Sequence, residues 1–430
     1  MIISLIGFAA LFILCFLGLP LGFGMIVVGA AGLAYLRGSE AALFMMTQQV
    51  LDFTMNYGLS VLPMFILMGA LIHRAGLSGD LFGSARAWVG HLRGGLAQAS
   101  VAACAAFGAV CGSSLATAAT MAKVALPAMK RAGYADGLAC GAVVAGGTLG
   151  ILIPPSVPLV IYGILTESDI AKLFIAGILP GILLTVLYMS ASWGMVVVNP
   201  ALAKPEAPAP WSQRWQSLSR IWPVAILFMV VLGGLYLGWF TPTEGAGIGA
   251  AGALLFLFLR SGRRSFAELR EALIESGFAT CGIMLVGAGA LVFSNFLTIA
   301  GLPGAMVAWI NALEVSPIGV IIAICIIYLI LGCIFDSLGM MFLTIPVFYP
   351  IVKALGFDLI WFGIIVVIVV ELGLMTPPVG MNVFVIKSLA PDVAMWTIFL
   401  GVMPFVLAAL VCLALVIAFP DIALVLTRFM

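Results

Sequence analysis

Polarity in this chain alternates on the scale of whole helices rather than single turns. Apolar runs separated by short polar stretches fall at 2–19, 22–36, 56–72, 134–165, 170–198, 221–240, 244–259, 272–297, 359–387 and 393–419. About 20 apolar residues in a helix cross ~30 Å of hydrocarbon, so each run predicts a spanning helix. The first run has no basic leader and no small-residue cleavage site, and reads as a retained helix rather than a secretory signal. Two further stretches, 94–130 and 317–353, are long enough to cross twice. Arg93 precedes the first, and Lys130 and Arg131 follow it. Basic residues at both flanks predict a re-entrant hairpin that enters and leaves by one face.

Composition agrees: 64% of the 430 residues are hydrophobic and 8% charged, where a soluble domain carries about 25% charged residues. A net charge of +1 gives no footing for nucleic acid. The eight cysteines stand singly in apolar runs without C-x-x-C spacing, as small buried residues do. With the N-terminus outside, thirteen Lys and Arg fall on the inner side. Four (Arg37, Lys172, Lys353, Arg428) fall outside, and Lys123 lies within a hairpin. That bias is the positive-inside pattern, and Trp222 and Trp239 mark the two ends of one span. The only long polar segment, Asn199–Arg220, holds three prolines between 205 and 210 and predicts a semi-rigid linker dividing the chain.

Displaced by 223 residues, positions 111–160 fall on 334–383 with thirteen of fifty identical and no gap. Ser114-Leu115 meets Ser337-Leu338, Pro127, Lys130 and Gly133 meet Pro350, Lys353 and Gly356, and Pro154-Pro155 meets Pro377-Pro378. Five spans in the first half start the second half on the opposite side, so the repeats are inverted, an arrangement many secondary transporters use. The loop 74–93 is basic, whereas its counterpart 298–316 has no Lys or Arg.

Chemistry concentrates where helix breakers and oxygen-bearing side chains interrupt apolar runs. These places are Gly112–Thr117, Phe335–Gly339, Gly147–Ser156 and Glu371–Pro378, with Asn382 just beyond. Consecutive prolines remove two backbone donors, and the freed carbonyls suit a hard cation. Broken backbone is tolerated at membrane depth only when buried in protein or lining a cavity. Asp336 is a carboxylate expected near the bilayer centre, a functional candidate by its insertion cost of about 2.5–3.5 kcal/mol. Glu371 and Lys123 are weaker candidates, each with a bland reading as packing or snorkelling. Thr241–Gly245 reads as a tight turn. His73 and His91 are too few and too peripheral for a metal centre. No hydrolase, zinc-protease or P-loop motif occurs, and the expectation is not an enzyme.

The apex Gly-Ser-Ser-Leu-Ala-Thr-Ala-Ala-Thr (112–120), Leu-Pro-Ala-Met-Lys-Arg-Ala-Gly-Tyr (126–134), the two Pro-Pro segments (147–156 and 375–382), Thr-Pro-Thr-Glu-Gly (241–245) and Asp336 resemble the large membrane subunit of tripartite ATP-independent periplasmic (TRAP) transporters. The resemblance implies a sodium-coupled, elevator-type importer of small carboxylates in a bacterial inner membrane, both termini periplasmic. It implies two or more sodium ions and no organic cofactor. The implied partners are a small four-helix membrane subunit, expected as a separate polypeptide, and a periplasmic substrate-binding protein. Carried onto this chain, one sodium lies at Ser113, Ser114, Gly150, Ile153 and Pro155, and a second at Gly332, Asp336, Gly373 and Thr376. The substrate lies near Thr117, Lys123, Thr148, Ser156, Ser337 and Asn382. Lys123 departs from the small residue the family pattern puts there.

The expected architecture is therefore an all-α integral membrane protein of two inverted repeats, with about ten transmembrane helices and two re-entrant hairpins. Scaffold helices occupy 1–93 and 221–316, a transport domain 94–165 and 317–387, the last helix of each repeat 166–198 and 388–430, and a cytoplasmic linker 199–220. Only 94–165 and 317–387 are expected to move. A stand-alone cation-coupled carboxylate transporter of related fold, without a binding protein, would use the same paired breaks.

Overall fold

A chain this apolar must satisfy its backbone polar groups internally, and a helix does so within each segment. The computed structural model describes residues 2–312 and 316–430, and every regular element among them is helical. The first half runs α1 (Ile2–Phe16), α2 (Leu21–Arg37), α3 (Ser39–Thr54), α4 (Val61–Arg74), α5 (Leu77–Val89), α6 (Gly95–Cys111), α7 (Ser114–Arg131), α8 (Asp136–Leu152), α9 (Val157–Thr166) and α10 (Ile170–Val198). The second runs α11 (Trp211–Tyr236), α12 (Pro242–Ser261), α13 (Ser265–Ile299), α14 (Leu302–Ala312), α15 (Pro317–Gly332), α16 (Ser337–Ala354), α17 (Leu359–Met375), α18 (Met381–Leu389), α19 (Met395–Ala418) and the single turn α20 (Asp421–Leu424).

The repeat governs nearly the whole chain. Displaced by the same 223 residues, α7 falls on α16 and α8 on α17 with both ends in register. Helices α2, α5, α9 and α10 fall on α12, α14, α18 and α19 within a few residues. Helices α3 and α4 together match the single α13, which runs 35 residues. In the first half Asn56 caps a short 3-10 turn that interrupts the pair. The repeats interlock: α2 packs along α13, and α12, the mate of α2, packs along α4.

Helices α6–α7 and α15–α16 form the two hairpins, and α8 and α17 lie at the centre. Every residue from Leu138 to Leu152 and from Trp361 to Met375 is buried. Helix α11 buries few of its residues and turns Trp222, Ile226 and Met229 outward, as a lipid-facing helix does. The last helix of each repeat packs where the sequence did not put it. Helix α19 lies along α8, and α10 lies against α6, α8 and α19. Both sit with the hairpins and broken helices rather than with α2, α4, α12 and α13.

Other expectations need correction. The polar stretches 74–93 and 298–316 contain helices α5 and α14, and the stretch after Arg37 contains α3. Each is too short or too polar to register as a span. The linker ends sooner than expected, because α11 begins at Trp211 and its exposed first turns carry Trp211, Trp215 and Arg214. The remaining segment is pinned: the Ala135 N–H donates to the Leu202 carbonyl at 2.8 Å, and Glu206 pairs with Arg86 at 2.7 Å. Thr241 and Glu244, read as a turn, form a capping box that starts α12.

Residues assigned by charge to the inner side are brought together by ion pairs. Arg74 holds Glu268, Glu271 and Glu275 at 2.6–3.2 Å, Arg260 holds Asp80, and Lys130 pairs with Asp392. Lys130 beside the exposed Asp392 keeps that carboxyl below the usual range.

Glycines let helix α8 approach α19 closely. A Cβ on Gly401 would overlap the Gly137 carbonyl, and one on Gly141 would overlap that of Gly401. Gly401→Val is expected to destabilise the protein by about 1–3 kcal/mol through overpacking. Gly194→Ala, where nothing lies within 4 Å, is the control. Thermal unfolding of the purified protein separates the two.

Candidate functional site

The site begins with backbone arithmetic. In a helix the carbonyl of residue i accepts from the N–H of residue i+4. The partners of Gly150 and Ile151 are Pro154 and Pro155, and those of Gly373 and Leu374 are Pro377 and Pro378. None of the four has an N–H, so each proline pair takes the helical donors from two successive carbonyls; the Ser156 hydroxyl takes up that of Ile151, and the Thr376 N–H that of Gly373. Helices α8 and α17 stop accordingly, at Leu152 and Met375. Both Pro-Pro peptide bonds are cis.

The hairpin apices close over these ends. At the first, Gly112 takes a left-handed φ of 64°, and Ser113 caps α7 by accepting from the Ala116 N–H. A Cβ placed on Gly150 would lie 2.7 Å from the Thr117 hydroxyl and 3.0 Å from the Ser113 carbonyl oxygen. The Thr117 hydroxyl is buried with no hydrogen-bond partner among the described residues. An orphaned hydroxyl, a hairpin carbonyl and a helix end without donors thus converge on one point. At the second apex Asp336 caps α16, its carboxylate accepting from the Leu338 and Gly339 N–H groups at 3.2 Å. A Cβ on Gly373 would lie 2.6 Å from the Gly332 Cα. The Thr376 hydroxyl lies 3.3 Å from the Gly373 carbonyl, and the Cys333 thiol 3.2 Å from that hydroxyl. Oxygen ligands are those a hard cation takes.

Between the apices lies a cavity of about 450 Å³. Ser113, Ser114, Lys123, Asp336 and Ser337 line it from the hairpins; Ile66, His73, Glu275 and Ile283 line it from α4 and α13. The other expected substrate residues lie deeper. Thr117, Thr148, Ser156 and Asn382 are each fully buried. Ser156 spans the first break, its hydroxyl donating to the Ile151 carbonyl and accepting from the Leu159 N–H. Thr148 is engaged by the Ala145 carbonyl and the Tyr188 hydroxyl. Asn382 leaves both amide atoms unpartnered among the described residues. Pro155 abuts the first apex, its carbonyl 3.1 Å from a Cβ on Gly112, while the Ile153 side chain packs on Gly181. Glu371 on α17 is fully buried, with no hydrogen-bond partner among the described residues.

His73, set aside as peripheral, is a cavity residue: its Nδ1 lies 3.3 Å from the Thr120 hydroxyl of α7. Glu275 was not singled out. Its signal was the spacing of Glu268, Glu271 and Glu275, one face of a helix, opposite Arg74.

A family model described as "Tripartite ATP-independent periplasmic transporter, DctM component" matches residues 8–422. The chain belongs to this family. The large permease protein of a C4-dicarboxylate TRAP transporter from Pseudomonas aeruginosa is 37% identical over 378 residues, 87% of each chain. That of an ectoine/5-hydroxyectoine TRAP transporter from Ruegeria pomeroyi is 35% identical over 97% of each chain. That of a sialic acid TRAP transporter from Vibrio cholerae is 30% identical over 96% of each. The fold is shared with the YdaH transporter of Alcanivorax borkumensis, at a TM-score of 0.65, 16% identity and 89% of each chain. This TRAP large permease subunit is thus a multi-pass membrane protein, and its relatives are permeases rather than enzymes.

The cavity geometry predicts which positions a water-soluble thiol reagent reaches. In a variant lacking the native cysteines, Lys123→Cys and Ser337→Cys are expected to label readily. Ser156→Cys and Asn382→Cys are expected to stay protected until the protein unfolds. Equal labelling at all four would contradict the cavity described.

Proposed function

We propose that this chain is the translocating subunit of a sodium-coupled importer of small organic acids. A periplasmic binding protein delivers the acid, and a small four-helix subunit braces the chain in the bacterial inner membrane. The observation that carries this reading is the convergence of two hairpin apices on one cavity, each hairpin packed against a proline-broken helix end. One sodium is held at Ser113, Ser114, Thr117, Gly150, Ile153 and Pro155. The second is held at Gly332, Asp336, Gly373 and Thr376. The acid sits between the apices, against Lys123 and Ser337, with Thr117, Thr148, Ser156 and Asn382 supporting the walls from behind. The names of the relatives, which carry C4-dicarboxylate, ectoine and sialic acid, support a small polar solute.

The packing supports a sliding movement. The hairpins with α8–α10 and α17–α19 slide as one body against α1–α4 and α11–α13, in the elevator manner, with both termini periplasmic. Inward sodium movement supplies the work, about 2.3 kcal/mol per charge across 100 mV. Chemistry inside the chain is limited to binding: oxygens replace the hydration shell of the ion, and the bound ion draws the apices together around the acid.

Uptake into proteoliposomes holding both membrane subunits, with the binding protein outside, tests this directly. Asp336→Ala and Ser113→Ala are each expected to raise the half-saturating sodium concentration about tenfold, the loss of roughly 1.4 kcal/mol of ion affinity. Unchanged sodium dependence in both variants would defeat the site assignments. Uptake of free acid by the chain without a binding protein would favour a stand-alone transporter instead.

A further inference from the structure

The charged side chains of the central cavity are unevenly distributed. On the hairpin side Lys123 borders both the central cavity and a second one of about 250 Å³ that continues along α7. It belongs to none of the ion pairs among the described residues. Lys130, about two turns further along, is already paired with Asp392. On the opposite wall Glu275 faces the cavity from α13. It shares Arg74 with Glu268 and Glu271, so three carboxylates meet one guanidinium and two negative charges are in excess. His73, between the walls, is engaged by Thr120.

We propose that the cavity selects a solute with a single carboxylate, held by Lys123, whose far end is uncharged or cationic. This deepens the proposed function and rests on it. An acid that spans the cavity from Lys123 points its other end at the Glu275 wall. A second carboxylate there meets the like charge of Glu275, which lies half-exposed beside Arg74. An amide, hydroxyl or ammonium does not. Specificity of this kind comes as much from the repulsion of the wrong ligand as from the attraction of the right one. Asp336 does not decide the matter, because the sodium proposed beside it offsets its charge. Lys123 also suits a release role, since it opens onto the second cavity and can follow the carboxylate out of the first.

Matched probes isolate the charge at the far end. Succinamate and succinate differ by one amide for one carboxylate, and 4-aminobutyrate and glutarate by an ammonium for a carboxylate. Thermal stabilisation of the purified two-subunit membrane complex, with sodium present or replaced by choline, reads their binding. Succinamate and 4-aminobutyrate are expected to act at concentrations about tenfold lower than their dianionic partners. Glu275→Gln is expected to narrow that gap, and Lys123→Gln to weaken all four probes, while Lys123→Arg retains the preference. Stabilisation by sodium alone checks that each variant is folded. Dianions that bind as well as their partners, absent responses within the pairs, or a Lys123→Gln protein with unaltered selectivity would overturn the proposal. Stabilisation by sodium that is missing in the unaltered protein would instead count against the proposed function.

Discussion

Hydrocarbon offers no partner to a free carbonyl, and two proline pairs in this chain take the helical donors from four of them. Pro154-Pro155 and Pro377-Pro378 remove the donors that would have closed α8 and α17. The rest of the architecture follows from the need to cover those ends with protein. Helices α8 and α17 are buried from their first turn to the break. Each hairpin brings an apex, capped by Ser113 or Asp336, against the oxygens the break exposes. Gly150 and Gly373 make the approach possible, because a Cβ on either would occupy the space between apex and helix end.

Duplication supplies the second half of the arrangement, and its departures from symmetry are as informative as its matches. The interlocked pairs α2–α13 and α4–α12 tie the repeats into one frame. The apices differ in charge, neutral at Ser113 and acidic at Asp336, although the two residues occupy the same position in the repeat. Thr148 and Glu371 are likewise repeat mates with different chemistry. Lys123 stands where the second repeat has Pro346, which puts a mobile cation on one side of the cavity only. A symmetric scaffold thus carries an asymmetric binding chamber.

Much of this was legible beforehand, for identifiable reasons. Spanning helices announce themselves by length and apolarity, and the hairpins by basic residues at both flanks of 94–130. The breaks are read from proline's missing N–H, which is a property of the residue and not of its context. What escaped were elements whose signal is weak by nature. Helices α3, α5 and α14 lie among polar residues and never reach a spanning length. The placement of α19 depends on contacts among Gly137, Gly141 and Gly401, and that of α10 on Gly177 and Gly181 against Leu152 and Ile153, which no periodicity encodes. The cavity role of His73 and Glu275 arises from two distant helices meeting. Ser156 and Thr148 were marked from their place beside the break, and nothing in the sequence showed that the Ile151 and Ala145 carbonyls take up their hydroxyls.

The central claim is that the two broken helix ends are ion sites. A structure of the membrane complex determined in sodium, compared with one determined in choline, tests it most directly. The account predicts sodium-dependent density at two places, one among Ser113, Thr117 and Gly150 and the other among Gly332, Gly373 and Thr376, each ringed by carbonyl and hydroxyl oxygens. Identical empty cages in both conditions, or helices that run unbroken through the proline pairs, would contradict it.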